Sequence, residues 1–274
     1  MSEVLVEHVQ PAEPVTPPSL KLPTFIEAHA HNVQCSYYCT NEEPELHAKL
    51  LGRRRFKKAA GICSGGEIPL FTLLPRCEEV YAVDHAMGAL AITWLKSALL
   101  AQVGYAGLRK LAERHTDQPG FLRVVEPLLK GMPEALRKIT QVKPTAGAYS
   151  YKPPYTVTFG AGVLQQLRKE LHFAVRPTSA VKTVSRLDKL TLIHGDISDL
   201  ATWGPYDLLY VSNAMGHSGR KGVPHLVDFA PLVRAGGFLL FTGTHGVDKD
   251  WEQVASVSGY RTAWQHVLFR RKKG

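Results

Sequence analysis

The sequence predicts an α/β fold: a mostly parallel, seven-stranded, doubly wound sheet with a helical insertion after its second strand. Three observations predict it. An apolar stretch leads into a glycine-rich turn, Gly61-Ile62-Cys63-Ser64-Gly65-Gly66-Glu67. A strand pattern closed by an acid, Val80-Tyr81-Ala82-Val83-Asp84, follows at roughly the twenty-residue spacing of one βαβ unit. Polar residues then sit just beyond the ends of successive apolar runs: Gly195-Asp196 after Thr191, and Ser212-Asn213 after Tyr206. Ligands of open parallel sheets bind at those carboxyl ends.

The elements follow in order. Residues 1–24 are rich in Pro, Glu and Val without periodicity and are expected as a disordered or extended arm. The remainder, 25–274, is expected as one domain. Residues 25–52 are expected to hold two helices, broken around Cys39 to Pro44, which can cover a bound ligand. The run Arg53-Arg54-Arg55 with Lys57-Lys58 is read as the solvated approach to the first strand, or as a contact for an anionic membrane or nucleic acid. After Asp84, Gly88 to Gln102 is apolar enough for a helix buried against the sheet. About a hundred residues then separate Asp84 from the next strand, where a βα repeat needs far fewer. The insertion, 105–189, is expected to be helical at Tyr105–Arg114, Gly120–Lys130, Pro133–Ile139 and Ala161–Phe173. It carries a basic excess and an aromatic, proline-bearing loop from Ala148 to Gly160, the kind of element that builds an acceptor site or lid. Thr191–Ile197 and Tyr206–Asn213 are strands. Leu232–Gly243 is a helix end, a double-glycine turn and a strand, and Val254–Phe269 is a final hairpin.

The chain has 274 residues, of which 45% are hydrophobic, enough for a large core. Its net charge of +9 permits contact with nucleic acid or anionic membrane without requiring either. No uninterrupted run of about eighteen apolar residues argues for a membrane-spanning helix. The first residues lack the layout of a secretory leader, and four irregularly spaced cysteines do not suggest a disulfide framework. A reducing cytoplasm is the expected compartment. Cys35 and Cys39 lack the third cysteine that an iron–sulfur site needs, because Glu42 stands there. Buried thiols are the simpler reading.

The glycine turn is not the three-glycine loop of a dinucleotide site, and Glu67 would repel a phosphate. A ligand with a ribose and an amino group fits better, and S-adenosyl-L-methionine is the candidate. The plain alternative is a tight turn followed by a solvated aspartate. Taken in order, the elements look like a Rossmann-like class I methyltransferase fold.

The segment SGGEIPLFTLL…VYAVDHAMGALAITWLKSALL resembles the betaine-lipid synthase family of diacylglycerol 3-amino-3-carboxypropyl transferases. The likeness lies in the glycine turn, the strand ending Val83-Asp84, and the helix carrying Leu95-Lys96-Ser97-Ala98. Gln34-Cys35, Ser212-Asn213 and the long insertion add to it. Glu67-Ile68 and His85 depart from the family pattern. The resemblance implies transfer of a 3-amino-3-carboxypropyl group from S-adenosyl-L-methionine to a small-molecule or lipid acceptor. Methyl transfer to a small molecule uses the same cofactor, and a non-catalytic or nucleic-acid-binding protein can keep the same fold.

Resemblance to the fold implies that Asp84 holds the ribose, with His85 beside it. It implies that Asp196 and Ile197 border the adenine, and that the backbone of Gly61, Ser64 and Gly65 runs beneath the cofactor. Glu67 is expected to hold the ammonium group, and Ser212 and Asn213 to lie beside the reacting centre. His217, in the loop after that strand, is the candidate general base, because imidazole titrates near neutrality. His85 and His245 also stand at strand ends. With 12 histidines in the chain, a solvated loop histidine is the ordinary alternative. Asp84-His85 and His194-x-Asp196 do not place three ligands together, so no metal is expected. Tyr37, Tyr38, Tyr151 and Tyr155 can stack on adenine or the sulfonium, or simply pack. Lys152-Pro153-Pro154-Tyr155 only superficially resembles a base-methylation motif, so nucleic acid is not the expected partner.

Overall fold

The structure, a computed structural model, describes residues 20–28, 43–113, 118–138, 140–142, 157–159, 177–212, 226–243, 248–259 and 264–273. Strand β1 (Thr24–Glu27) stands where a helix was expected. Helix α1 (Pro44–Leu51) follows, with proline in its first turn, where the missing N–H costs nothing. Then come β2 (Phe56–Ile62), a π-helical segment (Ile68–Leu73), β3 (Cys77–Asp84) and the long helix α2 (Met87–Glu113), which is broken by non-helical dihedrals at Gly104. Next are α3 (Gln118–Gly131), α4 (Glu134–Lys138), β4 (Thr140–Val142), β5 (Val157–Phe159) and α5 (Pro177–Val184). The chain ends through β6 (Leu190–His194), β7 (Tyr206–Val211), β8 (Val233–Thr242), β9 (Trp251–Ser258) and β10 (Gln265–Arg271).

The main sheet has eight strands, not seven, in the order β1-β6-β3-β2-β7-β8-β10-β9. The eighth is β1, which pairs in parallel with β6 at one edge. All pairs are parallel except those of β10, which runs antiparallel between β8 and β9 and forms the expected hairpin with β9. The sheet is therefore of the mostly parallel α/β type. Between Asp84 and β6 the described residues are not purely helical: β4 and β5 form a separate parallel pair. The expected helix at Ala161–Phe173 lies outside the described residues.

Alternation along the strands splits the core in two. Ala59, Val80, Ala82, Leu192, Leu208, Tyr210 and Leu240 face one side and pack with α1, the π-helical segment and α2. Ala60, Val83, Ile193, Leu209, Val211 and Phe241 face the other and pack with the 3₁₀ turns Ile197–Thr202 and Leu226–Leu232. The stretch Met87–Gly107 of α2 is long and apolar enough to cross a membrane by composition, but 78% of it is buried inside the fold. It is the core helix of the first face.

The double glycine expected as a turn before β8 lies inside that strand. Gly236 takes φ +75, and the β7–β8 register shifts between Tyr206 and Leu208. Asp207, between them, ties three strands. Its Oδ2 accepts the N–H groups of Lys57 (2.7 Å) and Lys58 (2.9 Å), and its Oδ1 meets Arg234 Nε at 2.6 Å. The basic run before β2 is engaged as well. Arg54 donates to the Leu50 and Leu51 carbonyls at the end of α1, and the Lys58 ammonium lies over the Tyr81 ring at 5.1 Å. These groups sit at the amino ends of the strands, away from the carboxyl ends where a ligand is expected.

Candidate active site at the carboxyl ends of the sheet

The strand order reverses between β2 and β7, which carry the first and fourth strand patterns of the parallel set. Ligands of doubly wound sheets bind beside such a reversal. Gly61 lies here, within β2 rather than in the turn as expected, opposite Tyr210 of β7. A Cβ on Gly61 would stand 2.7 Å from Tyr210 Cβ and 2.8 Å from its carbonyl oxygen. Close approach of two strands, not a ligand, accounts for this glycine.

The turn proper begins at Cys63. Ser64 adopts φ +48 and Gly66 φ +93. Two groups grip it. From β3, the Asp84 carboxylate accepts Ser64 N–H at 2.9 Å through Oδ2 and Ala86 N–H at 2.9 Å through Oδ1. From α2, Thr93 Oγ1 lies 3.1 Å from Cys63 Sγ, and Lys96 Nζ donates to the Gly65 carbonyl at 2.8 Å. Burial raises the Asp84 pKa above the ordinary carboxylate value, against the opposing pull of the Ala86 N–H, His85, the Ser64 N–H and His194. Burial likewise pushes the Cys63 thiol well up, with the Asp84 charge adding to it.

Glu67 does not stand ready for a ligand's ammonium group as expected. Its side chain is 2% exposed and forms an ion pair with that of Lys96, itself 5% exposed. An ammonium group would have to displace Lys96. Asp196 also has a local task. Its Oδ1 accepts the Ser198 N–H (3.0 Å) and hydroxyl (3.1 Å), while its own N–H donates to Asp199 Oδ2 at 2.7 Å. This capping box starts the 3₁₀ turn, and Ile197 packs into the second-face core rather than lining an open surface. His85 is half-buried after Asp84, and Ser212 is buried directly after β7. Asn213, His217, His245, Cys35, Cys39, Tyr37, Tyr38, Tyr151, Tyr155 and the Lys152–Tyr155 stretch lie outside the described residues.

On the same face, across the reversal point from Asp84, lies a buried polar cluster that the sequence reading did not single out. His47 Nε2 is 2.9 Å from Thr242 Oγ1 and 2.8 Å from His266 Nδ1, and His266 Nε2 is 3.3 Å from Glu43 Oε2. Burial, then His266, holds the His47 pKa well below that of free imidazole. Burial lowers His266 too, partly offset by Glu43. The Tyr210 ring packs edge-on against His47, with centroids 5.4 Å apart. Among the described residues, Tyr210 Oη and His47 Nδ1 have no hydrogen-bond partner. One signal for the cluster was available: Glu43 and His47 are four apart at the start of a helix. Its partners in β8 and β10 are about two hundred residues away, beyond any local pattern.

Lys96 carried a clearer signal. It is the one charged residue between Met87 and Leu100, and a lone charge in a buried helix requires a partner. Among the described residues, no group of three or more His, Cys, Asp or Glu side chains is arranged to hold a metal.

No protein-family model and no curated protein matches the chain. Among solved structures it is similar to the N-methyltransferase NodS from Bradyrhizobium japonicum WM9, at 10% identity and a TM-score of 0.37, covering 84% of this chain and 96% of that one. It is also similar to precorrin 8w decarboxylase from Methanobacterium thermoautotrophicum, at 12% identity and a TM-score of 0.38, covering 88% and 96%. A third is an rRNA methylase from Streptococcus thermophilus, at 10% identity and a TM-score of 0.35, covering 86% and 100%. Likeness this slight says nothing of what this chain binds or acts on.

Proposed function

We propose that the chain is an S-adenosyl-L-methionine-dependent transferase whose cofactor binds at the carboxyl ends of β2, β3 and β6. The observation that carries this is the state of Asp84. Among the described residues, its two oxygens accept two backbone N–H groups, and burial still leaves its pKa raised. A carboxylate has about four lone-pair sites, so two hydroxyl donors can complete it. A ribose diol supplies that pair of donors, and a phosphate, which would add negative charge, does not. Asp84 therefore binds the ribose, the turn at Ser64 and Gly65 passes beneath the cofactor, and Asp196 borders the adenine side.

When bound, the cofactor supplies a sulfonium with electrophilic carbons. The protein's part is to orient one of them toward the acceptor and to take up the acceptor's proton. His217 is retained as the base, and the residues after β7, Ser212 and Asn213, as the neighbours of the reacting centre. The resemblance favours 3-amino-3-carboxypropyl transfer to a small-molecule or lipid acceptor. Methyl transfer to a small molecule has equal standing on one observation: Lys96 and Ser97, part of that resemblance, are buried and bonded to Glu67, Gly65 and the Thr93 carbonyl.

Calorimetry with S-adenosylhomocysteine tests the cofactor. Wild type should bind, and Asp84→Ala should lose roughly 2–4 kcal/mol of affinity with two charge-assisted hydrogen bonds. Equal binding by the variant removes Asp84 from the site. Incubation of cell extract with cofactor labelled in the methyl or the carboxyl carbon identifies the group moved. Methyl label in the product, with S-adenosylhomocysteine left behind, rejects the larger group.

A further inference from the structure

We propose that Lys96 and Glu67 are positioning residues, whose buried ion pair sets the glycine turn for the cofactor without either side chain touching it. This rests on the cofactor reading above. The turn is held from both sides. Asp84 takes the Ser64 N–H on one side, and Lys96 takes the Gly65 carbonyl on the other. Lys96 reaches that carbonyl from α2, one helical turn after Thr93, whose hydroxyl meets Cys63 at the start of the turn. Gly66 lies so close to Thr93 that a Cβ there would stand 2.4 Å from its Oγ1. Glu67 closes the set by neutralising Lys96 at the point where the π-helical segment begins.

Stability alone does not explain the pair. Desolvating two charges costs about as much as their attraction returns, and apolar replacements of buried pairs are often neutral or stabilising. What the pair supplies is direction. A protonated lysine pulls the Gly65 carbonyl toward α2, and the peptide on which Ser64 and Gly65 meet the ligand is fixed with it. Ser64, a non-glycine residue at φ +48, holds a backbone conformation that needs such outside support. The same contact explains why Glu67 is not open to a ligand's ammonium group.

The test uses the full chain and S-adenosylhomocysteine as the probe. Removing one partner alone leaves a buried charge and risks unfolding, so the informative variant is the double apolar one, E67L/K96M. Its Tm should equal or exceed that of wild type, while its dissociation constant weakens roughly ten-fold or more, as displaced positioning groups do. Amide exchange at Ser64 should speed up in the same variant. Unchanged affinity and unchanged Ser64 exchange in a folded E67L/K96M chain would overturn the positioning role and leave the cofactor reading intact. Absence of binding by wild type would overturn both.

Discussion

Asp84 illustrates how the titration of a single buried carboxylate can be read. An acid whose pKa is raised in the folded chain binds more protons than in the unfolded chain. Its ionisation therefore costs stability, and that cost appears as pH rises from the ordinary carboxylate value through the raised one. A ligand that donates to the carboxylate reverses the sense. It prefers the ionised form, so affinity should fall as pH drops through the Asp84 titration and level off above it. Calorimetry across that range in buffers of different ionisation enthalpy should show proton release on binding. Asp84→Asn should abolish both the slope and the release. A flat affinity profile for wild type would mean that Asp84 carries no ligand.

At the scale of elements, the seam between α1 and the sheet is the feature most exposed to pH. His47 and His266 are fully buried, and both are held below the usual imidazole range. Glu43, Thr242 and the Tyr210 ring face them from the residue before α1, from β8 and from β7. A depressed histidine leaves the unfolded chain holding more protons once pH falls below about 6.5, the value in a free peptide. Stability should thus be intact above that pH and decline through the interval down to the folded values. Thermal melts from pH 8 to pH 5 check this, and the double variant H47F/H266F should flatten the decline. A wild-type Tm that stays level over the range would show the pair to be insulated.

The same seam shows where reading a sequence stops. Strands β3, β6, β7 and the β9–β10 hairpin were legible because each is a run of β-formers bounded by turn residues. Strand β1 was not, because Thr24–Glu27 is four residues with no alternation and follows prolines. That Asp84 lies beside the glycine turn was legible because a βαβ unit brings the acid back to the turn it follows. The Glu67–Lys96 pair spans 29 residues and the His47–His266 contact 219, so both arise only when separate elements pack.

For the whole molecule, the two ends of the sheet have different chemistry. The amino ends hold Asp207, Arg234 and the basic run, tied to backbone and aromatic rings. The carboxyl ends hold Asp84, the glycine turn and the histidine cluster. The sheet's flanks are just as unlike. At one flank stands the hairpin of β9 and β10. At the other, β1 is the last of the described strands and covers Leu190–His194. An unpaired parallel strand of that kind offers a row of open N–H and carbonyl groups to any second chain. β1 is thus a guard, and a short one. Its loss should matter less for the melting of the core than for how the protein behaves in company. A chain beginning at Leu20 should stay monodisperse in light scattering, and one beginning at Ala28 should self-associate increasingly with concentration. Identical scattering from the two would mean that β6 is protected some other way. Until that is known, a fusion or tag that tugs on Thr24–Glu27 is best treated as a route to aggregates.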